Sequence, residues 1–138
     1  MLSQVFVYGS LKRGFYNHRR YLSQAEFLGK AVSLDRYHMF SCGGAYPYLC
    51  SDGEHGLPVM GEVYRVTSDQ FNMLDALEGY PDHYTREQRN FEVDGQTVTA
   101  WVYLINEDEY DSSGASNERV ETVSFGSSKF LNWGEDQD

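Results

Sequence analysis

A short apolar run near the start of the chain leads into a turn that could bind an anion. Residues 5–8 are followed by a glycine and a small hydroxyl residue, and the turn consists of Tyr8, Gly9, Ser10 and Leu11. Successive backbone N–H groups in such a turn form a concavity that suits carboxylate or phosphate oxygens. Residues 12–20 add five basic or histidine side chains and no acid, which favours a small anionic ligand. The alternative is an ordinary strand-to-loop turn.

Glu78 is the candidate for proton transfer. It follows Leu77 at the end of a predicted helix, where the negative end of the helix dipole disfavours the ionised carboxylate. Burial in an aromatic pocket would raise its pKa further, as a group that both takes and donates a proton requires. The alternative is a solvated surface glutamate at a helix end.

Aromatic and basic residues could complete a site around these two features. Tyr84 and Arg86 share one strand face because they are two residues apart, Arg89 follows them, and Tyr103 lies on the predicted partner strand. Tyrosines in a sheet can instead be core residues. If Arg86 paired with Glu78 it would lower the pKa of that carboxyl, so we expect it to point away or to bind another carboxylate.

Other chemistries find little support in the sequence. The four histidines fall in four different segments without ligand spacing, so we expect no metal site. Ser10 lacks the G-x-S-x-G pattern of a serine hydrolase. Cys42 and Cys50 are too few for a zinc site, and we predict that both are free thiols in a reducing compartment.

The strongest local signals are one helix and one hairpin. Thr67 and Gln70 have the spacing of a capping box, apolar residues recur at positions 71, 74 and 77, and Gly79 stops the helix, which predicts a helix over 68–77. Asp94 and Gly95 predict a tight turn between strands at 84–93 and 97–105.

Further strands surround these elements in the sequence. Extended structure is predicted at residues 5–8, 27–40, 46–50, 59–66 and 120–125, and a short helix at 17–24 with Asn17 as its N-cap. Strands with two inserted helices predict an α+β domain whose sheet is curled or closed.

Size and charge limit the classes of function. The 138 residues suit one domain over 1–138, and a net charge of −10 argues against a nucleic-acid partner. Residues 106–138 form an acidic segment with nine acids against two bases, which is typical of a solvated surface. Because no apolar run approaches the roughly 18 residues of a membrane span, we expect a soluble, cytoplasmic protein that does not bind membranes.

Four segments of the sequence, at residues 5–14, 61–64, 74–80 and 101–103, together resemble the gamma-glutamyl cyclotransferase-like superfamily. Within that superfamily they resemble most closely the gamma-glutamylamine cyclotransferase branch. The similar segments lie in the family's order, over residues 4–105. They are VFVYGSLKRG at 5–14, GEVY at 61–64, LDALEGY at 74–80 with Tyr84 and Arg86 after it, and WVY at 101–103.

The resemblance implies a small mixed β-barrel with helices packed outside it. It also implies an enzyme that cyclises a γ-glutamyl amide to 5-oxoproline and releases an amine, amino acid or peptide. Glu78 would be catalytic and would need no cofactor. The substrate would contact Tyr8, Gly9, Ser10, Leu11, Tyr84, Arg86 and Tyr103. Its partner would be the small γ-glutamyl substrate, and the protein would be a monomer or weak dimer.

Two other functions remain open at this point. The same cavity could hold a small anionic ligand without converting it, in which case the protein would be a binding module. Ser10 could also act as a nucleophile, in which case the product would be glutamate rather than 5-oxoproline.

Overall fold

The computed structural model describes residues 2–9, 11–13, 18–42, 46–51, 57–82, 84–105, 118–119, 122–125 and 128–131. The helices in these ranges are α1 (His18–Tyr21) and α2 (Ser68–Glu78). The strands are β1 (Leu2–Val7), β2 (Glu26–Ser33), β3 (Tyr37–Cys42), β4 (Tyr46–Ser51), β5 (Met60–Thr67), β6 (Tyr84–Val93), β7 (Gln96–Ile105), β8 (Glu118–Arg119), β9 (Thr122–Phe125) and β10 (Ser128–Leu131).

Five strands close into a mixed β-barrel in the order β1-β5-β2-β6-β7. β1 pairs antiparallel with β5, and its parallel pairing with β7, where Val5 lies opposite Trp101, closes the barrel. The β6–β7 hairpin turns at Asp94 and Gly95, whose φ angles of 51° and 81° are left-handed, as a two-residue hairpin turn requires. The predicted α+β barrel and the predicted hairpin are both confirmed.

The apolar run of β1 is buried on both of its faces. Phe6 belongs to one hydrophobic cluster and Val5 and Val7 belong to a second one, because successive side chains of a strand point to opposite sides. The second cluster also contains Phe71 and Leu74 of α2. The run therefore packs on one side against other strands and on the other side against the helix that carries Glu78.

Helix α2 begins and ends at the residues that its sequence signals indicate. The Thr67 side chain accepts a hydrogen bond from the Gln70 backbone N–H, and the Gln70 side chain accepts one from the Thr67 N–H. Gly79 ends the helix with a left-handed φ of 68°. The prediction of 68–77 is confirmed with one added residue, so Glu78 lies in the last turn itself.

The stretch predicted as extended over 27–40 consists of two strands. β2 ends at Ser33, and β3 begins at Tyr37. The Ser33 hydroxyl donates a hydrogen bond to the Asp35 carbonyl at 2.7 Å and accepts one from the Val59 N–H at 2.8 Å. A side chain that bonds to nearby backbone competes with the strand ladder and stabilises a turn.

Part of the acidic segment 106–138 lies outside the described residues. β8 pairs with β3 in a sheet ordered β4-β3-β8, and β9 pairs with β10. The strand predicted at 120–125 is observed over Thr122–Phe125. No helix within the described ranges is long and apolar enough to cross a membrane. The same ranges contain no group of three or more His, Cys, Asp or Glu that could hold a metal ion.

The strand register separates the two cysteines. Cys42 lies opposite Tyr46 and Cys50 lies opposite His38, which places the two cysteines four ladder positions, or about 13 Å, apart along the sheet. Disulfides need Cα atoms within about 7 Å. We therefore expect a thiol titration of the denatured, unreduced protein to find two free thiols. A mass two units below that of the reduced chain would contradict this.

Candidate active site

Glu78 lies half-buried in the last turn of α2. Burial raises the pKa of its carboxyl from 4.5 to about 7, because a desolvated carboxylate loses the hydration of its charged form. The negative end of the α2 dipole favours the same direction. A carboxyl with this pKa exists in both protonation states near neutral pH, as a group that accepts and then donates a proton must.

Tyr103 of β7 is a polar residue close enough to Glu78 to be affected by its charge. Its side chain is buried, and its hydroxyl donates a hydrogen bond to Asp75 Oδ1 at 2.6 Å. The pKa of Tyr103 is raised mainly by burial, then by this hydrogen bond and the charge of Asp75, and further by the charge of Glu78. The carboxyl groups of Asp75 and Glu78 therefore act on the same hydroxyl.

Tyr8 connects the end of β1 to the same strand. Its hydroxyl donates a hydrogen bond to the backbone carbonyl of Tyr103 at 2.7 Å, and its side chain is buried. Leu11 and Tyr84 pack in one cluster with Tyr103 and with Leu74 of α2. The end of β1 thus reaches β7 through Tyr8, and the turn after it reaches the cluster beside α2 through Leu11.

Arg86 of β6 binds Asp75 rather than Glu78. Its Nε lies 3.0 Å from Asp75 Oδ1, and both side chains are less than one-fifth exposed. The guanidinium also lies over three aromatic rings, with centroid distances of 4.3 Å to Phe71, 4.5 Å to Tyr80 and 4.6 Å to Trp101. The expectation that Arg86 pairs with another carboxylate is confirmed.

The turn after β1 is tied down by backbone and side-chain hydrogen bonds. The Lys12 N–H donates to the Gly9 carbonyl at 3.0 Å, and the Arg13 N–H donates to Glu62 Oε1 at 2.7 Å. Glu62 is buried and also accepts a hydrogen bond from the Tyr64 hydroxyl at 2.9 Å. Ser10 lies outside the described residues.

A cavity of about 110 Å³ lies beside this turn. Its walls come from the turn, β2 and β5, and they are Lys12, Lys30, Ala31, Val32, Met60, Gly61 and Glu62. Glu78 and Tyr103 are not among them. We therefore place the candidate active site by the chemistry of Glu78 rather than by this cavity.

Most of the predicted residues that the structure describes fall in one region, and Arg89 does not. Leu11, Tyr84 and Tyr103 are buried in the cluster that contains Leu74 of α2, and Tyr8 is buried in the other cluster and bonds to the Tyr103 carbonyl. Arg89 instead pairs with Glu87 and lies 3.9 Å from Asp35.

Sequence reasoning missed two carboxylates, Asp75 and Glu62. Asp75 could have been found because it precedes Glu78 by three residues and so shares its helix face. Glu62 stands in a strand of otherwise largely apolar residues, and a charge in such a strand needs a partner.

The chain is similar to known proteins of one family. The family model described as gamma-glutamyl cyclotransferase, AIG2-like, matches residues 5–124. A Bos taurus protein named gamma-glutamylaminecyclotransferase is 36% identical over 131 residues, covering 82% of this chain and 78% of the bovine one. A Rattus norvegicus protein of the same name is 31% identical over 137 residues, covering 82% and 92%.

The fold also matches a solved structure. The crystal structure of an AIG2-like protein from Mus musculus superposes with a TM-score of 0.76 at 25% identity, covering 99% of this chain and 98% of the mouse chain. The family match, the relatives and the closed barrel agree with one another, and the chain therefore belongs to the gamma-glutamyl cyclotransferase, AIG2-like family.

Proposed function

We propose that the protein is a γ-glutamyl cyclotransferase that converts a γ-glutamyl amide to 5-oxoproline and a free amine. Membership of the family supports this activity in general, and the names of the bovine and rat relatives favour γ-glutamylamines as substrates. The observation that carries the proposal is Glu78, a half-buried carboxyl with a pKa of about 7 beside Tyr103. The reaction is a carbon–nitrogen lyase reaction, formerly classed as an acyl transfer.

The reaction is intramolecular, so much of the catalysis is positioning. The α-amine of the substrate attacks its own γ-carbonyl carbon, a C–N bond forms to close the five-membered lactam, and the amide C–N bond then breaks. Holding the glutamyl chain curled removes the entropy cost that a bimolecular attack would have. We assign this holding to the turn formed by Tyr8, Gly9, Ser10 and Leu11, with Tyr84 and Tyr103 as the adjoining walls.

Glu78 carries the two proton transfers in this proposal. Its carboxylate takes a proton from the α-ammonium group and thereby frees the amine to attack. The resulting carboxylic acid donates that proton to the nitrogen of the leaving amine as the tetrahedral intermediate collapses. The second proton that the attacking nitrogen loses passes through the regenerated carboxylate to the released amine, which leaves as an ammonium ion. Because one group performs both steps, its pKa must lie near the working pH. Backbone N–H groups of the turn would stabilise the oxyanion, and the chemistry requires no metal or organic cofactor.

The pH dependence of kcat/KM follows from the raised pKa of Glu78. The free enzyme must hold Glu78 ionised in order to accept the first proton, so kcat/KM should fall tenfold per pH unit below about 7. The check is a pH profile with a γ-glutamylamine substrate. An acidic limb at 4.5, the ordinary value for a glutamate, would contradict the role of Glu78.

The test of the activity is a panel of γ-glutamyl compounds with different leaving groups, analysed by mass spectrometry. The expected product is 5-oxoproline together with the released amine, amino acid or peptide. Glutamate as product, lost in a Ser10→Ala variant, would show hydrolysis through Ser10 instead. A compound that is retained tightly and unchanged would show a binding module. Either of these results would overturn the proposal.

We also propose that the protein works in the cytoplasm. The strand register keeps Cys42 and Cys50 from forming a disulfide with each other. Unpaired thiols fit a reducing compartment.

A further inference from the structure

Asp75 and Glu78 lie on the same face of α2. They are three residues apart, a spacing that places side chains next to each other on a helix. Asp75 Oδ1 accepts the Tyr103 hydroxyl at 2.6 Å and lies 3.0 Å from Arg86 Nε. One carboxylate oxygen therefore holds a residue from β6 and a residue from β7 on the helix that ends at Glu78.

Arg86 is held in place by more than this ion pair. The rings of Phe71, Tyr80 and Trp101 each lie within 4.6 Å of the guanidinium carbon. Phe71 belongs to α2 and Trp101 to β7, so the rings approach from different elements. Cations over aromatic faces are attracted by the ring quadrupole, and a guanidinium so enclosed has little freedom to move toward another carboxylate.

An arginine in this region that was not paired with another carboxylate would lower the pKa of Glu78. A cation close to a carboxyl favours the ionised form, so it lowers the pKa. Glu78 would then accept a proton poorly and would donate it too readily to bulk water. In the structure, burial is what shifts the pKa of Glu78, and it shifts it upward.

We propose that Asp75 is a positioning residue that holds the Arg86 guanidinium away from Glu78 and orients the Tyr103 hydroxyl beside it. The proposal rests on the proposed catalytic role of Glu78. It assigns Arg86 to this support rather than to direct binding of the substrate, because its guanidinium is already engaged by a carboxylate and three rings.

The charged and titratable groups around the end of α2 come from several elements. They are Asp75 from α2, Tyr80 and Asp82 from the turn after it, Tyr84 and Arg86 from β6, and Tyr103 from β7. Burial raises the pKa of Tyr103, so its hydroxyl is neutral at the pH of interest. Asp82 is exposed, and water screens its charge. Asp75 and Arg86 form the ion pair in this set, so they are the groups that the variants change.

A set of single and double variants tests the proposal. The quantity measured is the acidic limb of the pH profile, that is, the pH below which kcat/KM falls. Asp75→Asn removes a negative charge and releases Arg86, so we expect the limb to move to lower pH by about one unit. Arg86→Gln removes the cation and leaves Asp75 charged, so the limb should move to higher pH. The double variant Asp75→Asn/Arg86→Gln removes both charges and should return the limb to near its wild-type position. Asp69→Asn, an exposed acid in the first turn of the same helix, is the matched control and should not move it.

An acidic limb that stays in place in these variants would overturn the proposal. If Asp75 had a purely structural role, the Asp75→Asn variant would lose kcat and thermal stability without any movement of the acidic limb. The double variant would then not recover the lost kcat. If Asp75→Asn does not fold, the upward shift of the limb in Arg86→Gln, measured against the Asp69→Asn control, supports the proposal, and an unmoved limb in Arg86→Gln overturns it.

A direct titration of the Glu78 carboxyl separates this proposal from the proposed function. Carbon-13 NMR of the labelled side chain reports its pKa in wild type and variants without any turnover. Shifts of opposite sign in Asp75→Asn and Arg86→Gln would support the positioning role even if no γ-glutamyl compound is converted. Absence of such shifts in an active enzyme would reject the positioning role and leave the activity intact.

Discussion

Replacing Glu78 with glutamine is expected to lower kcat at least about 100-fold with a γ-glutamylamine substrate. The amide keeps the shape of the side chain and can still form hydrogen bonds, but it cannot accept a proton from the α-ammonium group or donate one to the leaving amine. The measurement is the rate of 5-oxoproline formation under saturating substrate.

The same substitution should stabilise the protein above neutral pH. The folded-state pKa of about 7 exceeds the ordinary 4.5, so the protonated Glu78 favours the folded state fully below pH 4.5. This contribution is lost as pH rises through 7, where the buried carboxylate must ionise. After allowance for its partial exposure, we expect Glu78→Gln to raise the free energy of unfolding by about 2 kcal/mol at pH 8 relative to wild type, and by little at pH 4.5.

An exposed glutamate provides the control for both measurements. Glu92 lies exposed on β6, and Glu92→Gln should leave the rate and the stability almost unchanged. A Glu78→Gln variant that forms 5-oxoproline near the wild-type rate would remove Glu78 as the catalyst. The family resemblance would then describe the fold, and the proton shuttle would have to be sought elsewhere.

Substituting alanine for Gly61 is expected to destabilise the barrel by about 3 kcal/mol or more, which for a chain of this size lowers Tm by about 10 °C. A Cβ atom at this position would lie 2.3 Å from the Val7 carbonyl oxygen and 2.6 Å from the Phe6 ring. Both belong to β1, which pairs with β5 through Val7 opposite Glu62. The obstacle includes backbone, so relief requires the two strands to separate.

Gly95 in the β6–β7 turn is the matched control for Gly61. Among the described residues no atom lies within 4 Å of a Cβ built at Gly95, so the cost of Gly95→Ala comes from its φ of 81°. That cost is about 1 kcal/mol. Thermal unfolding of the two variants therefore compares steric overlap with backbone strain. Equal losses of stability would show that β1 and β5 can separate at Gly61 without penalty.

Local sequence patterns predicted the helix and the turn whose structure depends only on residues that are neighbours in the chain. Thr67 and Gln70 set the start of α2 through bonds between neighbours, and Asp94 and Gly95 set the β6–β7 turn through their own φ angles. The continuous apolar run of β1 indicated a strand that is buried on both faces, and the structure buries it so. Glu78 could be singled out as a candidate because the negative end of the helix dipole disfavours an ionised carboxylate at a helix end.

Other features depended on contacts between distant parts of the chain. Tyr103 and Asp75 are separated by 28 residues and Arg13 and Glu62 by 49, and no spacing rule relates such pairs. The sequence indicated that Arg86 would avoid Glu78, but only the fold showed which carboxylate and which rings hold it. A side chain's partner is decided by which strands and helices become neighbours, because electrostatic and packing energies act over a few ångströms in space, whatever the separation along the chain.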